Sequence, residues 1–336
     1  MTTPVLPSAR IHGPGDLVAA VPHLLGFHPA DSVVVLVLRG DSVVVVLRAD
    51  LPDAAQVRDA ADKLVPVVRR NPGCSVAVLV VGGGGADPPE VLPRPDVVRS
   101  LLRGLGALGV PLARAVWAPG TAGGEPWFDY ADVGRTGTAP DARATYLAAL
   151  SAAAGHVTYG SRAEMAELLS PDPPEALARR AALLDRLTAA LEGADPDELV
   201  TRHRRALLVA VERTPSRTTP LPDDEVAELA FALASPRVRD LALTLALGAH
   251  AMAAERLWTE LTRAAPAPER AEAAALLAFA TYLRGEGALA VLALERAEAA
   301  CPGHRMTTLL RGALQGAMPP DYLRSLAEEA ARAYPS

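Results

Sequence analysis

The sequence predicts an α/β N-terminal domain, built on a mixed sheet in three layers, followed by an all-α domain of repeat-like helical hairpins. Three observations lead there. Valine-rich runs are confined to the region before Ala118. Strand signals vanish from Asp141 onward, where proline and glycine punctuate apolar helical stretches. Finally, the stretch from Ala271 to Pro302 sets small and apolar residues at the fixed offsets of a helical repeat. The expected boundaries are 1–140 for the α/β domain, 141–235 for a helical region and 236–334 for the hairpins.

Ser32 to Leu38 and Ser42 to Arg48 are two β-branched runs separated by Arg39-Gly40-Asp41, where glycine permits the positive φ of a tight turn, so they are expected to be antiparallel neighbours. The Arg-Gly-Asp triplet is thereby read as a hairpin tip and not as an adhesion signal. Unbroken valine, in place of strict alternation, predicts burial of both strands on both faces and hence helices on both sides of the sheet. Asp16 to Leu25, Asp53 to Arg69 and Pro95 to Leu108 supply those helices. Ser75 to Val81 is a third strand, Ala113 to Ala118 a fourth, and Trp127 to Tyr130 a short fifth.

In the C-terminal part, helices are expected at Asp141 to Ala154, Arg162 to Leu169, Glu175 to Leu191, Asp197 to Arg213 and Asp223 to Ala234. Leu277, Ala278, Tyr282, Gly285, Ala290, Ala297 and Pro302 then occupy the positions of a tetratricopeptide repeat. The alanines lie where two helices approach closely, and Pro302 stops the second helix. Pro236 to Pro266, with Leu241-Ala242, Ala254 and Trp258, reads as a degenerate copy, and Arg305 to Ala333 as a half-matching pair.

The chain has 336 residues, 50% of them hydrophobic and 21% charged, which is ordinary globular composition. Lys63 is the single lysine and falls inside an expected helix; a phosphate-loop NTPase, Schiff-base chemistry and pyridoxal catalysis all require a lysine in the site. A net charge of −6 gives no long-range attraction for nucleic acid or anionic lipid. Cys74 and Cys301 form no CxxC, so no zinc site or disulfide framework is indicated. No signal peptide or membrane span is evident in the sequence, and a cytoplasmic location is expected.

Asp16-Leu17-Val18-Ala19-Ala20-Val21-Pro22, Leu24-Leu25-Gly26-Phe27-His28-Pro29 and Asp31-Ser32-Val33-Val34-Val35 resemble the opening of the bacterial domain of unknown function 4192 family. Arg48-Ala49-Asp50-Leu51-Pro52 and Ser161-Arg162-Ala163-Glu164 match it too, and the resemblance runs the length of the chain. Members of that family often carry a cysteine-containing segment after the tryptophan matched by Trp127. This chain has Phe128-Asp129-Tyr130-Ala131-Asp132 there, so no thiol or metal role is carried over.

No catalytic constellation and no metal site stands out, and no cofactor is expected. His23, His28 and Asp31 are poorly spaced for metal, with Gly26 and Pro29 between them. Ser75 and Ser161 lack a nucleophile elbow. The basic run Arg202-His203-Arg204-Arg205, with Arg213 and Arg217, shares its helix with Glu198 and Glu212 and reads as a solvated, partly self-paired face.

Two function hypotheses follow. The leading one is a non-catalytic interaction protein whose repeat groove, lined by Glu272, Ala275, Phe279, Tyr282 and Leu283, takes a protein partner; the competing role for Phe279 and Tyr282 is packing against the preceding helix. The alternative is a small-ligand-binding protein or enzyme with its site at the carboxyl ends of the strands, formed by Asp50, Gly82, Gly83, Gly84, Gly85, Asp87 and Trp117. There Asp50 has a competing role as a turn or helix-capping residue, and the glycines as a plain connector.

Overall fold

The computed structural model describes residues 11–84 and 91–333. Helix α1 (Pro14–Leu25) starts with proline in its first turn and stops at Gly26, whose φ of 80° is the left-handed conformation that ends helices. The chain continues through β1 (Ser32–Arg39), β2 (Ser42–Asp50), α2 (Val57–Arg69), β3 (Ser75–Val81), α3 (Pro95–Ala107), β4 (Leu112–Ala118), β5 (Pro126–Asp129) and β6 (Thr136–Thr138). The six strands lie in the order β2-β1-β3-β4-β5-β6. Only β3 and β4 are parallel neighbours; the other pairs are antiparallel.

Successive side chains on a strand point to opposite faces, and β1 shows what that produces when both faces are covered. Val34, Leu36 and Leu38 join Leu79, Val81 and Val116 against Leu17, Val18 and Val21 of α1. Val33, Val35 and Val37 join Val76, Val78 and Val80 against α2 and α3. The α2 contribution, Val57, Ala61, Leu64 and Val68, has the spacing of one helix face. The sheet is therefore mixed and sits between helical layers, as its valine runs imply.

One expectation about the valines is corrected. β2 is not buried on both faces: it is one of the two edge strands, most of its residues are half-buried, and Val44 is 40% exposed. Its pairing with β1 slips at one point, since Val37 faces Val45 and Leu38 faces Val43, leaving Val44 as the extra residue of a bulge. The Arg39-Gly40-Asp41 tip is a turn with Gly40 at φ 61°. The helix expected from Asp53 starts at Val57, after a 3₁₀ turn over Ala54–Gln56.

The chain divides into two compact units, residues 1–165 and 166–336, where the sequence suggested three domains. The residues that follow 140 are tied to the sheet unit. His23 bonds to the Ala142 carbonyl and the Thr158 hydroxyl, and Phe27 and Tyr159 form a β-bridge. This strip contains α4 (Tyr146–Ala153), and the division falls within α5 (Arg162–Glu167).

The second unit is helical: α6 (Pro174–Ala190), α7 (Pro196–Arg213), α8 (Asp223–Leu233), α9 (Pro236–Thr244), α10 (Ala251–Ala264), α11 (Arg270–Leu283), α12 (Gly287–Ala300), α13 (Arg305–Gln315) and α14 (Pro320–Ala333). α11 and α12 form a hairpin turned at Gly285, with φ 87°, and Ala278, Ala290 and Ala297 are completely buried. Beside it, the buried Arg180 donates through Nη1 to Asp172 (2.7 Å) and the Ala264 carbonyl (2.9 Å) and through Nε to Asp223 (2.7 Å). Among the described residues no helix is long and apolar enough to cross a membrane.

Candidate functional site

Strand direction brings three chain ends to one edge of the sheet. β1 is antiparallel to both β2 and β3, and β4 is parallel to β3, so β2, β3 and β4 all end where β1 begins. Asp50 and Val81 both lie opposite Ser32 across the ladder, and Ala118 lies opposite Val81. The chain enters β1 from α1 on one face and leaves β3 toward α3 on the other. In open α/β sheets ligands are met at the carboxyl ends of the strands, which makes this edge the candidate site.

Asp31 ties that edge together. Its carbonyl accepts the Leu51 amide at 2.8 Å, and its Oδ1 accepts the Gly83 amide at 2.9 Å. Its own φ is 41°, left-handed, as are those of Gly82 (72°), Gly83 (73°) and Arg94 (53°). A Cβ on Gly82 would lie 2.6 Å from Asp31 Oδ1, and one on Gly83 would lie 2.8 Å from a Leu51 methyl. Backbone in this region is uphill for residues with a side chain and concentrates at functional sites. Gly82→Ala is therefore expected to destabilise by about 2–3 kcal/mol in chemical denaturation, the left-handed penalty plus the clash. Gly40→Ala, where φ is also positive but nothing lies within 4 Å, should cost only the left-handed penalty of about 1–2 kcal/mol. Equal losses in the two variants would show that the Asp31 contact is not tight.

Charged groups at the edge are mostly anchored. Arg48 donates from Nε to the Ser32 hydroxyl (3.0 Å), forms a 2.5 Å ion pair with Asp50 and lies over the Phe27 ring. Arg94 reaches the Pro52 carbonyl (2.6 Å) and pairs with Asp96. The Arg94 hydrogen bond holds the Asp96 carboxyl below its ordinary range. His28 Nδ1 is 2.8 Å from the hydroxyl of Thr121, a buried residue in the glycine-rich turn after β4. Burial first, then the neighbouring His23 and Arg143, push the His28 pKa below 6.5 and favour neutral imidazole. Burial pushes the Tyr130 phenol up; its hydroxyl donates to the Pro93 carbonyl.

Of the sequence-predicted residues, Asp50, Gly82, Gly83 and Gly84 share this edge, while Gly85 and Asp87 lie outside the described residues. Asp50 is 82% exposed at its side chain. The 3₁₀ turn ahead of α2 is capped by no side chain, so Asp50 is not a capping residue. Trp117 is a correction: it is completely buried, stacks near Phe128 at 5.7 Å and donates its indole N–H to the Gly82 carbonyl at 2.9 Å. It supports the glycine loop from beneath and cannot touch a ligand. Sequence reading missed His28 with Thr121, Asp31 and Arg94 as members of the edge. The faint signals were the second glycine-rich turn around Thr121 and the aspartate directly before β1.

The His23, His28 and Asp31 set does not assemble, because both His23 ring nitrogens are engaged by Thr158 and Ala142. Among the described residues no three His, Cys, Asp or Glu side chains gather as a metal site would require.

The expected repeat groove is also corrected. Ala275, Phe279 and Leu283 are buried. The Tyr282 hydroxyl donates to the Met318 carbonyl, and Glu272 accepts from Arg239 (3.1 Å) and pairs with His304 (3.2 Å). Helices α9, α13 and α14 pack on α11, so this face is interior to the unit. The basic run pairs with neighbouring helices and not with Glu198 or Glu212 of its own: Arg202 with Glu228 and Arg213 with Glu225 of α8, and Arg217, beyond α7, with Glu260 of α10, while His203 turns inward onto Phe231.

No curated protein and no solved structure matches the chain. The family model described as Domain of unknown function (DUF4192) matches residues 14–321, from the first turn of α1 into α14, and the chain belongs to that family.

Proposed function

We propose that the first unit binds a small polar ligand at the carboxyl edge of its sheet. The observation that carries this reading is the Asp31 clamp: one residue with left-handed backbone fastens the ends of β2 and β3, leaving the Asp50 carboxylate exposed and half-buried His28 on the same edge. Asp50 shares its charge with Arg48, but its side chain is 82% exposed while Arg48 and Arg94 are 18% and 22% exposed, so the edge presents acceptors more than cations and suits a ligand rich in hydroxyl or amine donors better than an anion. A protein-binding scaffold working through Glu272, Ala275, Phe279, Tyr282 and Leu283 is set aside because those side chains are occupied by packing.

Thermal melts of the full chain against sugars and polyols, nucleosides, amino acids and polyamines test the reading. A binding class present at a hundredfold excess over its Kd adds about 2.7 kcal/mol, an easily measured rise in midpoint. The rise is expected in wild type and lost in Asp50→Ala and His28→Gln. No shift with any class, or an undiminished shift in both variants, overturns the proposal.

A further inference from the structure

A second concentration of charge lies in the helical unit, at one end of the α11–α12 hairpin. Ala271, Ala274 and Ala297 pack together there, which sets Arg270, at the start of α11, and Arg296, near the end of α12, on the same end. Arg270 donates through Nε to the Ala265 carbonyl at 2.9 Å, but its Nη2 is enclosed with no acceptor. Arg296 has one long contact, to the Ala166 carbonyl at 3.4 Å. Among the described residues neither arginine makes an ion pair. The neighbouring carboxylates are already committed: Asp172 to Arg180 and Arg263, Asp223 to Arg179 and Arg180.

Capping of the α10 carboxyl end explains part of this arrangement, since Arg180 and Arg270 take the adjacent Ala264 and Ala265 carbonyls. It does not explain the idle Nη2 of Arg270 or the second cation beside it. Arg217 and Arg284 also enclose an idle Nε, yet each holds a carboxylate on its other nitrogens. Arg270 has none. Burial, and then repulsion by Arg296, lower its pKa, and the attraction of Asp172, a carboxylate it shares with Arg180 and Arg263, offsets only part of that. An enclosed donor without an acceptor and two like charges facing a carboxylate already shared with two other arginines are both unfavourable, and one oxyanion reaching both guanidinium groups relieves both.

We infer that Arg270 and Arg296 together form a binding site for an oxyanion, a phosphate or carboxylate group, at the end of the α11–α12 hairpin. Planar guanidinium forks match the oxygen spacing of such groups. Inorganic phosphate, sulfate and acetate, each at the same ionic strength balanced with sodium chloride, are the probes, titrated calorimetrically into full-length protein. Saturable binding is expected in wild type, weakened at least tenfold in Arg270→Gln and Arg296→Gln and retained in Arg205→Gln, which alters an exposed arginine of α7. Tighter binding of phosphate and sulfate than of acetate assigns the site to phosphoryl groups; the reverse assigns it to carboxylates. In chloride alone, Arg296→Gln is expected to melt no lower than wild type, because it removes a repulsion. Absence of saturable binding by any probe, or equal binding in the wild type and the two site variants, overturns the inference.

Discussion

Ala290→Arg is expected to lower the thermal midpoint by roughly 6–12 °C, the counterpart of about 3 kcal/mol in a unit of this size. Ala290 has no exposed surface, and α12 packs along α11 at this position through alanine and leucine. An arginine there must either displace the neighbouring helix or hold an unpaired charge in an apolar seam. The next residue provides the control. Val291 is 39% exposed, so Val291→Arg should shift the midpoint by no more than a degree or two, within the roughly 0.5 kcal/mol typical of surface changes. If Ala290→Arg melts with wild type, the α11–α12 seam is not closely packed.

The second large effect is expected for Arg180→Met, a substitution that keeps bulk and removes charge. It leaves Asp172 and Asp223, 21% and 27% exposed at their side chains, without their shared cation, and frees the Ala264 carbonyl. Removing one partner of a buried ion pair costs about 3–5 kcal/mol, and the partial exposure of the carboxylates favours the lower figure, about 3 kcal/mol. The loss should depend on pH. The hydrogen bond from Arg180, then that from Arg179, hold the Asp223 carboxyl below its ordinary value of 3.8. A carboxyl whose folded pKa is depressed contributes stability that is present above the unfolded value and is lost as pH falls through the folded one. The gap between wild type and Arg180→Met is therefore full at neutral pH and narrows below 3.8. Denaturation midpoints at pH 7 and at pH 3 check this; a gap that widens on acidification would contradict it.

Local patterning made most elements legible in the sequence, because β1 and β3 are buried and apolar in the manner that valine runs advertise, and β4 is buried over its second half. What could not be read was position within the sheet. β2 has four valines in a row yet is an edge strand, and nothing in its own residues separates an edge from a centre. β6 is three residues, Thr136-Gly137-Thr138, and carries no apolar signal at all. The candidate edge was half legible. Asp50 and Gly82 to Gly84 follow from the rule that ligands meet strand ends, but His28 with Thr121 and Asp31 with Gly83 are pairings across 93 and 52 residues of chain. Phe279 and Tyr282 misled because helix periodicity defines a face without revealing which neighbours cover it; α9, α13 and α14 do so only in three dimensions.

The bulge in β2 bears on solubility. A nine-residue outer strand with four consecutive valines, no proline and no lysine could recruit the edge of another molecule. The additional residue at Val44 breaks that template. It reverses the alternation, so that Val43 and Val46, three apart, face one layer while Val45 and Leu47 face the other, and an incoming strand can follow only part of the ladder. Beyond the bulge, Arg48 is folded back onto Ser32 and Asp50, which places paired charge at the end of the same edge. The irregularity that costs the sheet one ladder position thus helps keep concentrated protein from joining edge to edge.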